Sequence, residues 1–108
     1  MMLSEISTVE LDEKNLTLKV YARPIEKSVS TEVPEKIADE CDRAIRGCYG
    51  FILVRHRDGG WYEYDTVREA IVRPVSREKL KRWILGLVVG ENEWIGRDMK
   101  NVRFRVRK

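Results

Sequence analysis

The chain has 108 residues, of which 43% are hydrophobic, 36% are charged and 8% are aromatic. This composition is too apolar for a disordered chain and too polar for a membrane protein. The longest apolar run with glycine allowed, residues 83–89, is far shorter than the roughly 18 residues that span a bilayer. The length suits one domain, and the absence of a recognisable signal or transit peptide predicts a cytoplasmic location.

Rare residue types limit the chemistry that the chain can perform. It has one histidine, His56, and two cysteines, Cys41 and Cys48, so a zinc or iron site would need mostly carboxylate ligands. We therefore predict no metal and no other cofactor. The sequence contains no glutamine and three asparagines, a composition that indicates a thermophilic source because amide side chains are thermolabile.

The net charge of +3 is unevenly distributed along the chain. Residues 1–48 hold 7 Lys or Arg and 10 Asp or Glu, whereas residues 49–108 hold 14 and 8. The excess of basic residues is concentrated in residues 73–82 and 97–108. Such an asymmetry is typical of proteins that contact polyanions, and it also occurs in proteins that contact none.

The N-terminal part of the sequence predicts one firm strand and one weak strand. Apolar and polar residues alternate over residues 16–23, which is the pattern of a half-buried strand. Residues 4–11 resemble a weaker extra strand, joined to the first by a turn at residues 12–15. A tight hairpin there would compete with the last strand of the chain for one edge of the 16–23 strand, and the sequence leaves that choice open.

A helix is predicted over Pro34–Cys48. Proline suits the first turn because its missing N–H has no helical partner there, and Glu35 is favoured by the helix dipole. Apolar residues recur at the spacing of one buried helical stripe. The stripe consists of Ile37, Cys41, Ala44, Ile45 and Cys48. The two cysteines would lie about 10 Å apart along this helix, so we expect buried thiols and no disulfide.

Two strands, over residues 49–57 and 61–67, flank the turn sequence Asp58-Gly59-Gly60 and predict a hairpin. With a two-residue turn, the acidic residues of the second strand share a face with Val54, and with a three-residue loop its tyrosines do. The acidic residues are Glu63 and Asp65, and the tyrosines are Tyr62 and Tyr64.

A second helix is predicted over residues 77–89, with Ser76 as its N-cap and Gly90 beyond its end. Apolar residues surround its last two turns, so either a loop covers this end or Leu85 and Val89 contact another subunit. Beyond it, Val102, Phe104 and Val106 alternate with arginines and predict a final strand. Residues 68–75 and 91–99 are interpreted as connections.

In chain order, residues 16–108 give strand, helix, strand, strand, helix and strand. This is the ferredoxin-like βαββαβ order, an α+β fold with a four-stranded antiparallel sheet and two helices on one face. We predict a single domain over residues 1–108, in which residues 1–15 are the candidate for an extra strand and turn.

A basic surface is predicted on the sheet face that the helices leave open. In the ferredoxin-like order the first and last strands are neighbours, so their outward-facing cations would gather around a tyrosine. Fixed cations bind phosphates and a flat ring stacks on a base, which favours RNA or single-stranded nucleic acid as the partner. The residues are Lys19, Tyr21, Arg23, Arg103, Arg105 and Arg107.

The same surface has two other interpretations. If Glu63 and Asp65 lie beside Lys19 and Arg23, the charges form a salt-bridge ladder within the chain. Alternatively, the open sheet face forms a dimer.

Residues 46–54 resemble the aromatic octamer of the RNA-recognition motif, which runs basic, Gly, aromatic, Gly, aromatic, aliphatic. Residues 20–25 are loosely similar to the hexamer on that family's first strand. In the family the two strands lie side by side, and their rings stack on bases. Here Cys48 is an insertion, Val54 replaces the final aromatic, and the octamer directly follows the first predicted helix rather than lying on the third strand. We therefore carry no site residue over from the family.

His56 lies near the predicted hairpin tip, where Asp58 or Glu63 would orient it as a general base. No nucleophile, glycine-rich phosphate loop or second histidine accompanies it, so the sequence contains no catalytic constellation.

The sequence therefore predicts a small non-enzymatic protein that binds RNA or single-stranded nucleic acid through a basic sheet face. One alternative is a homo-oligomeric protein-interaction or adaptor module that uses the apolar end of the second helix or the open sheet. Another is a small-molecule enzyme centred on His56.

Overall fold

The computed structural model describes residues 6–21, 25–47, 49–89 and 99–108. The chain forms two compact units. Residues 1–29 and 78–108 form the first, here called the terminal unit, and residues 30–77 form the second, the central unit. No helix in the described part of the chain is long and apolar enough to cross a membrane.

The terminal unit contains a four-stranded sheet. Its strands are β1 (Thr8–Asp12), β2 (Thr17–Val20), β3 (Ile25–Ser28) and β8 (Arg103–Arg107). Their spatial order is β3-β2-β1-β8, with β1 antiparallel to β2 and parallel to β8. Side chains alternate across the sheet, so Val9, Leu11 and Leu18 are fully buried while the residues between them lie on the opposite face.

The turn between β1 and β2 is held by Asp12. Its carboxylate accepts hydrogen bonds from the backbone N–H of Lys14 at 2.9 Å and of Asn15 at 3.1 Å. The side-chain amide of Asn15 donates a third hydrogen bond at 3.0 Å. Because Asx turns of this kind replace missing backbone hydrogen bonds, the segment folds into a tight hairpin. The competition over the edge of β2 is thereby decided: β1 occupies that edge, and β8 pairs with the other edge of β1.

Helix α1 (Arg77–Val89) has the bounds that the sequence predicts. Leu80, Ile84, Leu85 and Val89 are its buried residues. Near its C-terminal end, the ammonium group of Lys27 donates a 2.7 Å hydrogen bond to the carbonyl oxygen of Leu87. A cation is favoured there because the last helical carbonyls lack partners within the helix.

The central unit is an antiparallel meander of four strands, β4 (Cys41–Ile45), β5 (Phe51–His56), β6 (Trp61–Asp65) and β7 (Ala70–Pro74). One face of this sheet carries a buried apolar cluster. The cluster consists of Ile37, Cys41, Ala44, Val54 and Tyr64, with Val33, Ile52, Tyr62 and Ile71 packed around it.

The hairpin between β5 and β6 has a three-residue loop. His56 donates its backbone N–H to the carbonyl of Gly60 at 2.8 Å, and Gly59 donates to the carbonyl of His56 at 2.9 Å. Gly59 has a φ of +105°, a conformation that side-chain-bearing residues rarely adopt. As a result Val54 lies opposite Tyr62, so the tyrosines and not the acidic residues share its face.

The predicted ferredoxin-like α+β fold is wrong. The described residues form eight strands in two sheets and a single α-helix, which makes the protein mostly β. Strand β4 falls within the predicted helix, β7 falls within a predicted connection, and β3 falls in a segment for which the sequence predicted no element. The weak N-terminal strand is a central strand of its sheet, because β8 pairs with it instead of with β2.

The predicted helix over Pro34–Cys48 is also wrong. A short 3-10 turn, Glu35–Ile37, is followed by β4, and Cys48 lies outside the described residues. A β-bulge shifts the register between Cys41 and Arg43, so two buried residues, Cys41 and Ala44, lie three positions apart within a strand. This spacing imitates the period of a helix.

The backbone before β4 also has partners that a helix would exclude. Arg57 donates from its side chain to the carbonyls of Asp39 at 3.1 Å and Ala38 at 3.3 Å. Its backbone N–H donates to the carbonyl of Glu40 at 2.9 Å. These carbonyls would otherwise accept bonds from residues four positions further along a helix.

Candidate nucleic-acid interface

The candidate site is the polar face of the terminal unit's sheet, here called the polar face. It consists of Thr8, Glu10 and Asp12 of β1, Thr17 and Lys19 of β2, Tyr21, Glu26 of β3, and Arg103, Arg105 and Arg107 of β8. The strand register arranges these residues in rows that run across the sheet.

The middle row alternates in charge. Lys19 pairs in register with Glu26 on one side and with Glu10 on the other, and Glu10 pairs in register with Arg105. The expectation that the strand of Lys19 and the arginine strand are neighbours is therefore wrong, because β1 lies between them. Two carboxylates of β1, those of Glu10 and Asp12, lie on the strand between Lys19 and the arginines of β8.

The three arginines of β8 remain together on one face. Each is exposed, and the residues between them, Phe104 and Val106, are half-buried. Alternate residues of a strand lie about 7 Å apart, so the guanidinium groups form a row of positive charge. The ion pairs among the described residues include none of these arginines.

Asp12 is the carboxylate that adjoins the end of the arginine row, opposite Arg107. Its pKa is lowered, first by the hydrogen bond from the backbone of Asn15 and then by that residue's side chain. The positive charge of Arg107 lowers the pKa further and is a smaller cause. Asp12 therefore serves mainly its own turn.

Tyr21 lies at the end of β2, and its side chain is 51% exposed. Its backbone N–H donates to the carbonyl of Thr8 at 3.0 Å, which continues the β1–β2 pairing and places the ring on the polar face. Thr8 in turn pairs in register with Arg103. The remaining predicted residue, Arg23, is outside the described residues.

The acidic residues that the ladder interpretation required belong to the sheet of the central unit. Glu63 is 7% exposed, and its carboxylate lies 2.9 Å from Nε of Arg73. Asp65 lies 3.7 Å from Nε of Arg68 and also accepts the backbone N–H of Val67 at 2.9 Å. The carboxylates that flank Lys19 in register are Glu10 and Glu26 instead.

At the hairpin tip, the structure brings together only part of the predicted catalytic group. Nδ1 of His56 lies 3.3 Å from Oδ1 of Asp58 and also accepts the backbone N–H of Asp58 at 3.3 Å. The pKa of Asp58 is lowered, chiefly by a hydrogen bond from the backbone of Gly60. Glu63 lies on the other face of β6 from Tyr62, whose ring contacts His56 edge-on. Of the residues that the His56 alternative requires, the structure therefore brings together only His56 and Asp58.

Cys41 is buried and forms no disulfide. Burial raises the pKa of its thiol, and the neighbouring carboxylates of Glu40 and Asp42 raise it further. A thiol of this kind is a poor nucleophile. Within the described ranges, no group of three His, Cys, Asp or Glu side chains is placed to hold a metal ion.

Two exposed apolar side chains lie on turns at one end of the central unit and were not predicted as a site. Tyr49 is 80% exposed and Val67 is 85% exposed. Gly50 accepts the backbone N–H of Thr66 at 2.8 Å, which joins the two turns. Tyr49 has a positive φ of 55°. We call Tyr49 and Val67 the exposed turn pair.

The two segments that resemble the RNA-recognition motif belong to different sheets, so they are not neighbouring strands of one sheet. Phe51 belongs to β5 in the sheet of the central unit, whereas Val20 belongs to β2 in the sheet of the terminal unit. No protein family, no curated protein and no solved structure matches this chain.

Proposed function

We propose that this chain is a non-enzymatic protein that binds RNA or single-stranded nucleic acid along the polar face of the terminal unit. The observation that supports this function is the arginine row of β8, which is exposed, lies on one face, and takes no part in the ion pairs of the described residues. A row of fixed cations matches the regular negative charge of a phosphate backbone. A cytoplasmic location stays a prediction from the sequence.

The proposed contact differs from the uniform basic surface that the sequence predicts. Phosphates would bind on the β8 side, where no strand of carboxylates intervenes. Tyr21 offers a half-exposed ring on the same face, on which a base can stack. The nucleic-acid strand would therefore run along β8, with its bases turned toward β1 and β2.

A charge-reversal experiment tests this function. Binding of a fluorescently labelled single-stranded oligonucleotide is measured by anisotropy at several salt concentrations. We expect the affinity of the unaltered protein to fall steeply as the salt concentration rises. The combined Arg103→Glu and Arg105→Glu substitutions should weaken binding to oligonucleotides of any sequence. Each lost phosphate contact should reduce the slope of log K against log salt by about 0.7.

The matched control reverses two arginines that are also exposed but lie elsewhere. The side chains of Arg68 and Arg82 are 78% and 52% exposed, and neither lies on the polar face. The Arg68→Glu and Arg82→Glu double variant should bind nearly as well as the unaltered protein. Equal loss in both double variants, or binding that does not respond to salt, would refute the proposed function.

A second candidate function, a homo-oligomeric or adaptor protein, is favoured by the exposed turn pair. Large apolar side chains that protrude together are typical of protein contacts. The apolar end of α1 gives no such support, because Leu85 is fully buried and Val89 is 9% exposed. Light scattering after size-exclusion chromatography tests this function. A dimer that the Tyr49→Ser and Val67→Ser double variant converts to monomer would support it, and a monomeric unaltered protein would refute self-association.

A further inference from the structure

We infer that Glu10 reads the bases of the bound strand and selects bases that carry an exocyclic amino group, namely cytosine, adenine and guanine, over uracil and thymine. This inference rests on the proposed function, because it assigns a role to a carboxylate in the middle of the polar face. Three observations lead to it: the position of Glu10, the pairing of its neighbours, and the chemistry of a carboxylate beside cations.

Glu10 occupies the centre of the polar face. It lies in register between Lys19 of β2 and Arg105 of β8, and its side chain is half-buried. Tyr21 pairs with Thr8 through a backbone hydrogen bond, so it is the diagonal neighbour of Glu10. Diagonal neighbours in an antiparallel pair lie about 7–8 Å apart, which is within reach of an aromatic side chain. A base stacked on Tyr21 would thus have its edge near the Glu10 carboxylate.

A structural role as an ion-pair partner does not account for Glu10. The ion pairs that the described residues form include neither Glu10 nor the two cations beside it. Its oxygen atoms therefore remain available as hydrogen-bond acceptors on the face that we propose for ligand binding. In such a site a carboxylate repels phosphates, so its contribution to binding must come from a donor on the ligand.

Bases differ in the donors that they offer to a carboxylate. Cytosine presents the N4 amino group, which carboxylates accept from, whereas uracil has a carbonyl oxygen at the same position. The two pyrimidines have nearly the same size and stacking surface, so the difference isolates the amino group. A carboxylate attracts the amino hydrogen and repels the carbonyl oxygen, which predicts a preference on the order of tenfold for cytosine.

These positions give each group on the polar face a different role in binding. The arginines of β8 hold phosphates, Tyr21 stacks on one base, and Glu10 contacts the edge of that base. Lys19 and Arg105 lie on either side of Glu10 in register and keep its negative charge from dominating the centre of the face.

The experiment compares oligocytidylate and oligouridylate of equal length by fluorescence anisotropy. We expect the unaltered protein to bind oligocytidylate on the order of tenfold more tightly. The Glu10→Gln variant keeps the shape of the side chain but carries both a donor and an acceptor, so it should bind the two strands with nearly equal affinity. Its affinity for oligouridylate should rise, because a negative charge is removed.

The matched control is Glu78→Gln. Glu78 lies on α1, outside the polar face, and its side chain is 78% exposed. This variant should retain the cytosine preference. A further measurement needs no variant: oligomers of N4,N4-dimethylcytidine, which has no amino hydrogen, should bind the unaltered protein as weakly as oligouridylate.

The outcomes separate the inference from the proposed function. Equal salt-dependent affinity for both strands, or a cytosine preference that persists in Glu10→Gln, would overturn the role of Glu10 and leave nucleic-acid binding intact. Tight binding of the dimethylated strand would also overturn it. Failure to bind any of these strands would overturn the proposed function and the inference together.

Discussion

The two sheets of this protein treat their charged residues in opposite ways. In the central unit, charges are paired at short range: Glu63 lies 2.9 Å from Arg73, and Asp42 lies 2.8 Å from Arg43 and 3.6 Å from Arg55. On the polar face of the terminal unit, cations and carboxylates alternate in register, yet the ion pairs of the described residues do not include Glu10 or Arg105.

This difference indicates which charges stabilise the fold and which are available to a ligand. A buried carboxylate with a close guanidinium partner stabilises the sheet that contains it, because its hydrogen bonds offset the loss of hydration. Charges on the polar face that lie in register without forming ion pairs contribute less to stability than a close pair and stay available to a ligand. The comparison therefore predicts that charge substitutions change stability in the central unit and binding in the terminal unit.

The largest expected effect on stability comes from Glu63→Gln. This change removes the negative charge from a side chain that is 7% exposed and weakens its pairing with Arg73. We expect a loss of about 1–2 kcal/mol in the free energy of unfolding, since Arg73 itself reaches solvent. Urea denaturation measures it, with Glu10→Gln as the matched variant in the terminal unit. A change of more than about 0.5 kcal/mol for Glu10→Gln would break the comparison.

A smaller effect on the free energy of unfolding is expected at alkaline pH, from the thiol of Cys41. Burial raises the pKa of its thiol above the ordinary value of 9.0. The protonated thiol is thus favoured in the folded state, so its contribution to stability is complete below that value and is lost as pH rises through the folded pKa. In a Cys48→Ser background, the urea midpoint should fall above this pH. A further Cys41→Ala change should make that fall smaller, and an unchanged alkaline profile would contradict it.

The smallest effects on the free energy of unfolding are expected at acidic pH, from one aspartate in each unit. The pKa values of Asp12 and Asp58 both lie below the ordinary value of 3.8, chiefly because backbone N–H groups of Asn15 and Gly60 donate to them. Their contributions are complete above that value and are lost as pH falls through the folded pKa. Asp12→Asn and Asp58→Asn should each make the acid side of the stability profile shallower. A profile that becomes steeper in either variant would contradict the assignment.

The local sequence pattern was sufficient to predict the elements whose apolar residues follow a single helical or strand period. The helix Arg77–Val89 and the arginine strand β8 were predicted because caps and strict alternation are visible in a short window. The helix over Pro34–Cys48 was wrong because a β-bulge gives β4 the spacing of a helix. Strand β7, which ends at Pro74 and shifts register with β6, has no clean alternation to detect.

The candidate site was predicted in part for the same reason. The row formed by Arg103, Arg105 and Arg107 follows from alternation within one strand. The carboxylates beside it could not be predicted, because their position depends on which distant strand pairs with β8. That choice is set by the Asp12 turn, which fixes β1 against β2 and leaves the other edge of β1 for β8. Pairing between distant strands has no local signature in a single sequence.

The parallel pairing of β1 with β8 has a consequence for the order of folding. Thr8 pairs with Arg103, so the two paired strands are separated by most of the sequence. The meander of β4 to β7, in contrast, pairs strands that are consecutive in the chain. Closing so large a loop is slow because its entropy must be lost before any contact forms. During synthesis on the ribosome, the meander is able to form early, while one edge of β1 waits for a strand that emerges much later.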